Sequence, residues 1–128
     1  MQIVDSTVSL TVADVAVTAR FLIEHFGYVE AITADGFVSV THPGGGVGVA
    51  IHRLGLEVLP EDQRDVASRG VVLAFTVADA AAEEARLRAA GVEFTLPLTA
   101  QPWGERLFQV ADGNGVIVQV LDWAEQAG

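Results

Sequence analysis

The sequence predicts an α+β fold built from two βαβββ modules. Three observations carry that expectation. Thr11-Val12-Ala13-Asp14 recurs as Thr76-Val77-Ala78-Asp79, Gly27 answers to Gly91 as a helix stop, and Gly48 answers to Gly115 ahead of a strand. A repeat of about half the chain points to two copies of one supersecondary unit. The modules fall at residues 5–54 and 71–123, joined by a connector at 55–70, within one domain covering 1–128.

Each element has its own local cause. Residues 5–12 alternate, with Val8, Leu10 and Val12 facing one way and Thr7, Ser9 and Thr11 the other, as in a half-buried strand. Asp14 suits a helix N-cap, because its carboxylate can accept an orphan N–H of the first turn. Val15, Ala19, Leu22 and Phe26 then line one helical stripe. Gly27 supplies a left-handed stop, and His25 in the last turn suits the negative end of the helix dipole. Strands over 28–33 and 37–41 flank a turn at Ala34-Asp35-Gly36. A loop at His42-Pro43-Gly44-Gly45-Gly46 leads into a strand over 47–54. The connector is polar around Pro60, with room for one helical turn.

The pattern then restarts. Residues 71–77 read as a strand, Asp79 repeats the N-cap, and 80–90 is helical by propensity, its apolar side chains being mostly Ala. A strand over 92–97 follows Gly91. Residues 101–123 form the closing hairpin, with its turn at Asp112-Gly113-Asn114-Gly115. Asn-Gly between apolar runs predicts a tight turn whose residues tolerate positive φ. In the last strand Gln119 shares a face with Ile117 and Leu121, opposite Val116, Val118 and Val120.

Composition narrows the chemistry. With 128 residues, 51% of them hydrophobic, the chain can bury a sizeable core. A net charge of -10 and a pI near 4.4 argue against nucleic acid as a partner and favour cationic or neutral ligands. Lys and Cys are absent, which removes lysine Schiff bases, thiolate metal sites and disulfides. Met1-Gln2-Ile3-Val4-Asp5 has no basic signal-peptide start, and no apolar run reaches membrane length, so a cytoplasmic location away from membranes is expected. No Ser sits in a Gly-x-Ser-x-Gly elbow. The glycine run at 44–48 leads into a strand, whereas a phosphate cradle needs a helix N-terminus. Glu105 and Asp112 read better as a strand start and a turn residue than as an acid–base pair.

The phrases VSLTVADV (residues 8–15), LAFTVADA (73–80), LRAAGVEF (87–94) and ADGNGVIVQV (111–120) resemble the vicinal oxygen chelate superfamily. That superfamily includes glyoxalase I, extradiol dioxygenases, and bleomycin and fosfomycin resistance proteins. The resemblance covers nearly the whole chain, with Gly113 standing where the family hairpin usually has proline. It implies that the two modules form a curved mixed sheet around a cup, with metal-ligand positions at Thr7, His52, Val72 and Gln119. His52 lies four residues after Gly48 and Gln119 four after Gly115, so the repeat supports the pairing. Only His52 is a good ligand; Gln119 is weak, Thr7 weaker, and Val72 cannot coordinate. Catalytic zinc uses three ligands drawn from His, Glu, Asp or Cys, and non-haem iron two His and a carboxylate. No metal, cofactor or catalytic residue is therefore expected; any residual metal would sit on His52 and Gln119.

If those positions face inward, strand alternation assigns the lining of the cup. The expected ligand-binding residues are Phe37, Ser39, Ala50, His52, Trp103, Leu107, Gln109 and Gln119. His52 is either a ligand contact or a hydrogen-bonded cavity histidine, and Gln119 either a ligand contact or a structural amide. Trp103 offers a stacking surface or packs against protein, while Trp123 suits packing or a dimer contact. The resulting expectation is metal-free binding and sequestration of a small hydrophobic or cationic molecule, such as an antibiotic. Resemblance to the bleomycin-resistance branch implies a homodimer. The alternatives are a divalent-metal lyase, isomerase or dioxygenase, and a metal-free regulatory module.

Overall fold

The structure, a computed structural model, describes residues 1–123 and divides into two compact units at Arg69/Gly70. The expected domain limit of 128 takes in residues 124–128, which lie outside the described residues.

In the first unit, β1 (Thr7–Val12) leads into α1 (Val15–Phe26), followed by β2 (Val29–Ala34), β3 (Phe37–Thr41) and β4 (Gly48–Arg53). The sheet order is β1-β4-β3-β2, with β1 parallel to β4 and the other pairs antiparallel. Asp14 caps α1 from an extended backbone, its Oδ1 accepting the Ala16 N–H at 3.1 Å. Gly27 ends the helix at φ 75°, a conformation that would strain any residue with a Cβ. Leu10, Val12, Val40, Val49 and Ile51 are buried on the helix side of the sheet, together with Ala19 and Leu22 of α1. Burying an aliphatic side chain of this size contributes about 1.5–3 kcal/mol, so this layer dominates the unit's stability.

Two ties outside the ladders complete the unit. His42 bridges the loop after β3 to the end of α1: Nε2 lies 2.9 Å from the Phe26 carbonyl, and Nδ1 accepts the Gly44 N–H at 2.9 Å. With Nδ1 accepting, Nε2 carries the proton. Tyr28 packs edge-on against the His42 ring and donates to the Val47 carbonyl, and burial raises its phenol pKa. In the connector, Glu61–Gln63 forms the short helical turn for which the sequence left room. Ser68 then bonds Thr11 twice, its Oγ accepting the Thr11 N–H at 2.9 Å and its own N–H reaching the Thr11 carbonyl at 2.8 Å.

The second unit repeats the plan with β5 (Val72–Thr76), α2 (Ala80–Ala89), β6 (Glu93–Ala100), β7 (Glu105–Ala111) and β8 (Ile117–Trp123). Its order is β5-β8-β7-β6, with β5 parallel to β8. Asp79 caps α2 through the Ala82 N–H, and Gly91 takes the left-handed conformation just past the helix. Leu73, Phe108, Val110, Val118 and Val120 are buried on the helix side, as are Ala80 and Leu87 of α2. Asp122, also buried, accepts the Ala80 N–H at 2.8 Å and both arms of the Arg106 guanidinium. The Arg106 hydrogen bonds hold the Asp122 carboxyl below its usual pKa range.

The fold class agrees with the sequence expectation, and element ends differ from it by no more than three residues. The closing hairpin differs in kind. Its last ladder pair is Ala111 with Ile117, and residues 112–116 form a wider loop. Gly115 alone there has positive φ, so Asn114 does not adopt the expected left-handed turn. Asp112 explains why: its Oδ1 accepts the N–H groups of both Asn114 and Val116, holding the loop in another geometry.

Candidate functional site

Sheet alternation gives each unit one face turned away from its helix. In the first unit, register places Ser9, Ala50 and Ser39 in one row and Thr11, His52 and Phe37 in the next. The expected residues Phe37, Ser39, Ala50 and His52 therefore share a face. The small side chains of Ser39 and Ala50 leave this surface low beside two rings. Those rings, Phe37 and His52, have centroids 5.9 Å apart. His52 is only 4% exposed, and its Nδ1 is buried with no hydrogen-bond partner among the described residues. An unmade buried hydrogen bond costs about 1–3 kcal/mol, so such an atom calls for an explanation.

In the second unit, Ala74, Gln119 and Gln109 form one row, followed by Thr76, Leu121 and Leu107. Leu107, Gln109 and Gln119 thus share a face as expected. The two amides are joined, Gln109 Nε2 donating to Gln119 Oε1 at 2.9 Å. Neither their directly opposed register nor their mutual bond was readable from the hairpin, because the wider loop at 112–116 sets the register. Val72, at one end of this face, is 44% exposed. Trp103 stands off the sheet in the turn before β7, 65% exposed, its indole N–H donating to Glu105 Oε1 at 3.1 Å. Sequence reasoning passed over Glu105 as a contact, although its place two residues beyond Trp103 was a usable signal.

One concavity lies elsewhere. A groove of about 270 Å³ opens beside α1, floored by Ala16, Ala19 and Val38 and rimmed by Arg20, Glu24 and Glu30. It lies on the helix side of the first sheet and shares no residue with the expected site. No helix among the described residues is long and apolar enough to cross a membrane.

The model of the Glyoxalase/Bleomycin resistance protein/Dioxygenase superfamily matches residues 4–120. The chain belongs to that superfamily. Solved structures share the fold at low identity. A glyoxalase/bleomycin resistance protein/dioxygenase from Nocardioides is 22% identical with a TM-score of 0.77, over 98% of this chain and 87% of that one. TioX from Micromonospora sp. ML1 is 23% identical with a TM-score of 0.71, over 93% and 98%. A superfamily member from Sphaerobacter thermophilus is 22% identical with a TM-score of 0.73, over 95% and 98%. No curated protein matches the chain.

Members of this superfamily include metalloenzymes, so the donor set has to be tested. Of Thr7, His52, Val72 and Gln119, one side chain is a strong ligand and one is a hydrocarbon. The Gln119 carbonyl oxygen, its only donor atom for a cation, already accepts from Gln109. No group of three or more His, Cys, Asp or Glu able to hold a metal occurs among the described residues. The residues do not fit a catalytic divalent ion.

Proposed function

We propose that this chain is a cytoplasmic, homodimeric binding protein that sequesters a small hydrophobic or cationic molecule without a metal. In this reading the two modules act as one domain, as in the bleomycin-resistance members of the superfamily. The observation that carries it is the donor set, in which His52 is the one strong ligand beside Thr7, Val72 and a Gln119 amide paired with Gln109, leaving polar groups suited to an organic ligand. The proposed contacts are Phe37, Ser39, Ala50 and His52 in the first unit, and Trp103, Leu107, Gln109 and Gln119 in the second. Rings for stacking beside a few hydrogen-bonding groups are the usual furnishing of a small-molecule site.

The test has two arms. Elemental analysis of protein purified without chelators is expected to show no stoichiometric transition metal, and chelator is expected to leave the melting temperature unchanged. Titration with aromatic natural-product antibiotics is expected to give a saturable change in tryptophan fluorescence. Stoichiometric zinc, iron, nickel or manganese that is lost in His52→Ala would replace this reading with a metalloenzyme.

A further inference from the structure

The second unit contains a cluster that shares only Trp103 with the sheet-face site. Glu105 opens β7 and Trp123 closes β8, and the two are directly opposed in the ladder. Opposed residues point to the same face with Cβ atoms about 5 Å apart, so the Trp123 and Glu105 side chains leave the sheet as neighbours. Glu105 also holds Trp103 through the indole N–H at 3.1 Å. One carboxylate thus has a tryptophan bonded to it and a second at the opposed ladder position, 65% and 40% exposed. No other hydrogen bond or ion pair engages the Glu105 carboxylate among the described residues, and the neighbouring Arg106 is committed to Asp122.

The chemistry of this cluster is specific. Large exposed indoles are costly to leave in water, and their π faces attract cations, most strongly when the cation is weakly hydrated. The carboxylate adds a full negative charge at the same place. Because Glu105 accepts from the Trp103 N–H, that indole is pinned at its edge and its faces stay available. Among the described residues a metal ion would find one carboxylate here and no group of three ligands, so an inorganic cation is poorly served. A quaternary ammonium group, with a charge but no N–H to satisfy, matches two π faces and one carboxylate. The net charge of -10 favours its approach.

We propose that Trp103, Glu105 and Trp123 form a binding site for an organic ammonium group. The proposal rests on the binding reading above only in sharing Trp103, and it assigns the cationic part of a ligand to this end of the sheet. Both tryptophans of the chain belong to the cluster, so intrinsic fluorescence reports on it directly.

The experiment compares choline with its neutral isostere 3,3-dimethylbutan-1-ol by fluorescence titration of the full chain. Choline is expected to give a saturable change, and the alcohol to bind about fivefold or more weakly, as expected for loss of the cation–π and charge contacts. Glu105→Gln keeps an oxygen for the Trp103 N–H while removing the charge, and is expected to weaken choline while leaving the alcohol unchanged. Trp123→Leu is expected to weaken choline with unchanged circular dichroism. Equal binding of choline and the alcohol, or an unaltered choline affinity in Glu105→Gln, would overturn the proposal. An antibiotic that binds wild type and Glu105→Gln alike but is lost in His52→Leu would sink this site and leave the sequestration reading standing.

Discussion

His52 shows how a single buried side chain can carry a cost in stability. Its ring is buried beside Phe37, yet Nδ1 makes no hydrogen bond among the described residues. Replacing a half-satisfied polar group by a hydrocarbon of similar reach removes an unmet demand. His52→Leu is therefore expected to leave the melting temperature unchanged or raise it, while weakening ligand binding. Thermal denaturation beside a ligand titration checks both, and a large loss of stability would show that His52 is structural. The paired amides differ, since Gln109 Nε2 donates to Gln119 Oε1. Gln109→Ala is expected to cost about 0.5–1.5 kcal/mol in urea unfolding, the usual worth of one such bond. At this scale the sequence was informative about position and silent about partners. It placed Gln119 and His52 on faces turned away from the helices, because alternation is a local rule, but whether Gln119 bonds Gln109 depends on rotamers that no local rule sets.

Among the elements, the helix ends were the most legible. Asp14, Asp79 and Gly27 act as their residue types dictate, because a cap is satisfied within a few residues of itself. Gly27→Ala is expected to cost about 1–2 kcal/mol for the left-handed backbone. Its added Cβ would also meet His42 Nε2 at 3.2 Å, loosening the loop that His42 ties down. The second device at the start of α2 was not legible. Asp122 reaches the Ala80 N–H across 42 positions of sequence and meets Arg106 on the adjacent strand. Asp122→Ala leaves that buried N–H without an acceptor, at a cost of about 1–3 kcal/mol. The pH dependence follows from the lowered carboxyl pKa. The folded state binds that proton less readily than the unfolded chain, whose reference value is 3.8, so the stabilisation is complete above that value and lost as pH falls through the folded pKa. Acid unfolding of Asp122→Asn, followed by circular dichroism, is expected to lack this component. An acid limb as steep as that of wild type would place the pH sensitivity in other carboxylates.

For the whole molecule, the repeat made the architecture legible, because two copies of one pattern constrain each other. Ligand identity was not, since the same fold serves several chemistries and the decision lies in a few side chains. The strong negative charge has its own consequence. Attraction between exposed charges fades beyond a screening length of about 8 Å at physiological salt, so the association rate of a cationic ligand is expected to fall steeply as salt rises. A neutral ligand is expected to show little change. Stopped-flow fluorescence separates the two cases, and a salt-independent rate for the cationic ligand would show that the charge plays no part in capture.

The double bond between Ser68 and Thr11 has an effect that reaches past folding. β1 borders its sheet, and a bare border strand offers its peptide groups to any other chain that can pair with it. Both outward peptide groups of Thr11 are already taken by Ser68. At Thr11 the connector therefore works as a selvedge, finishing that stretch of the sheet's margin against pairing by a neighbouring strand.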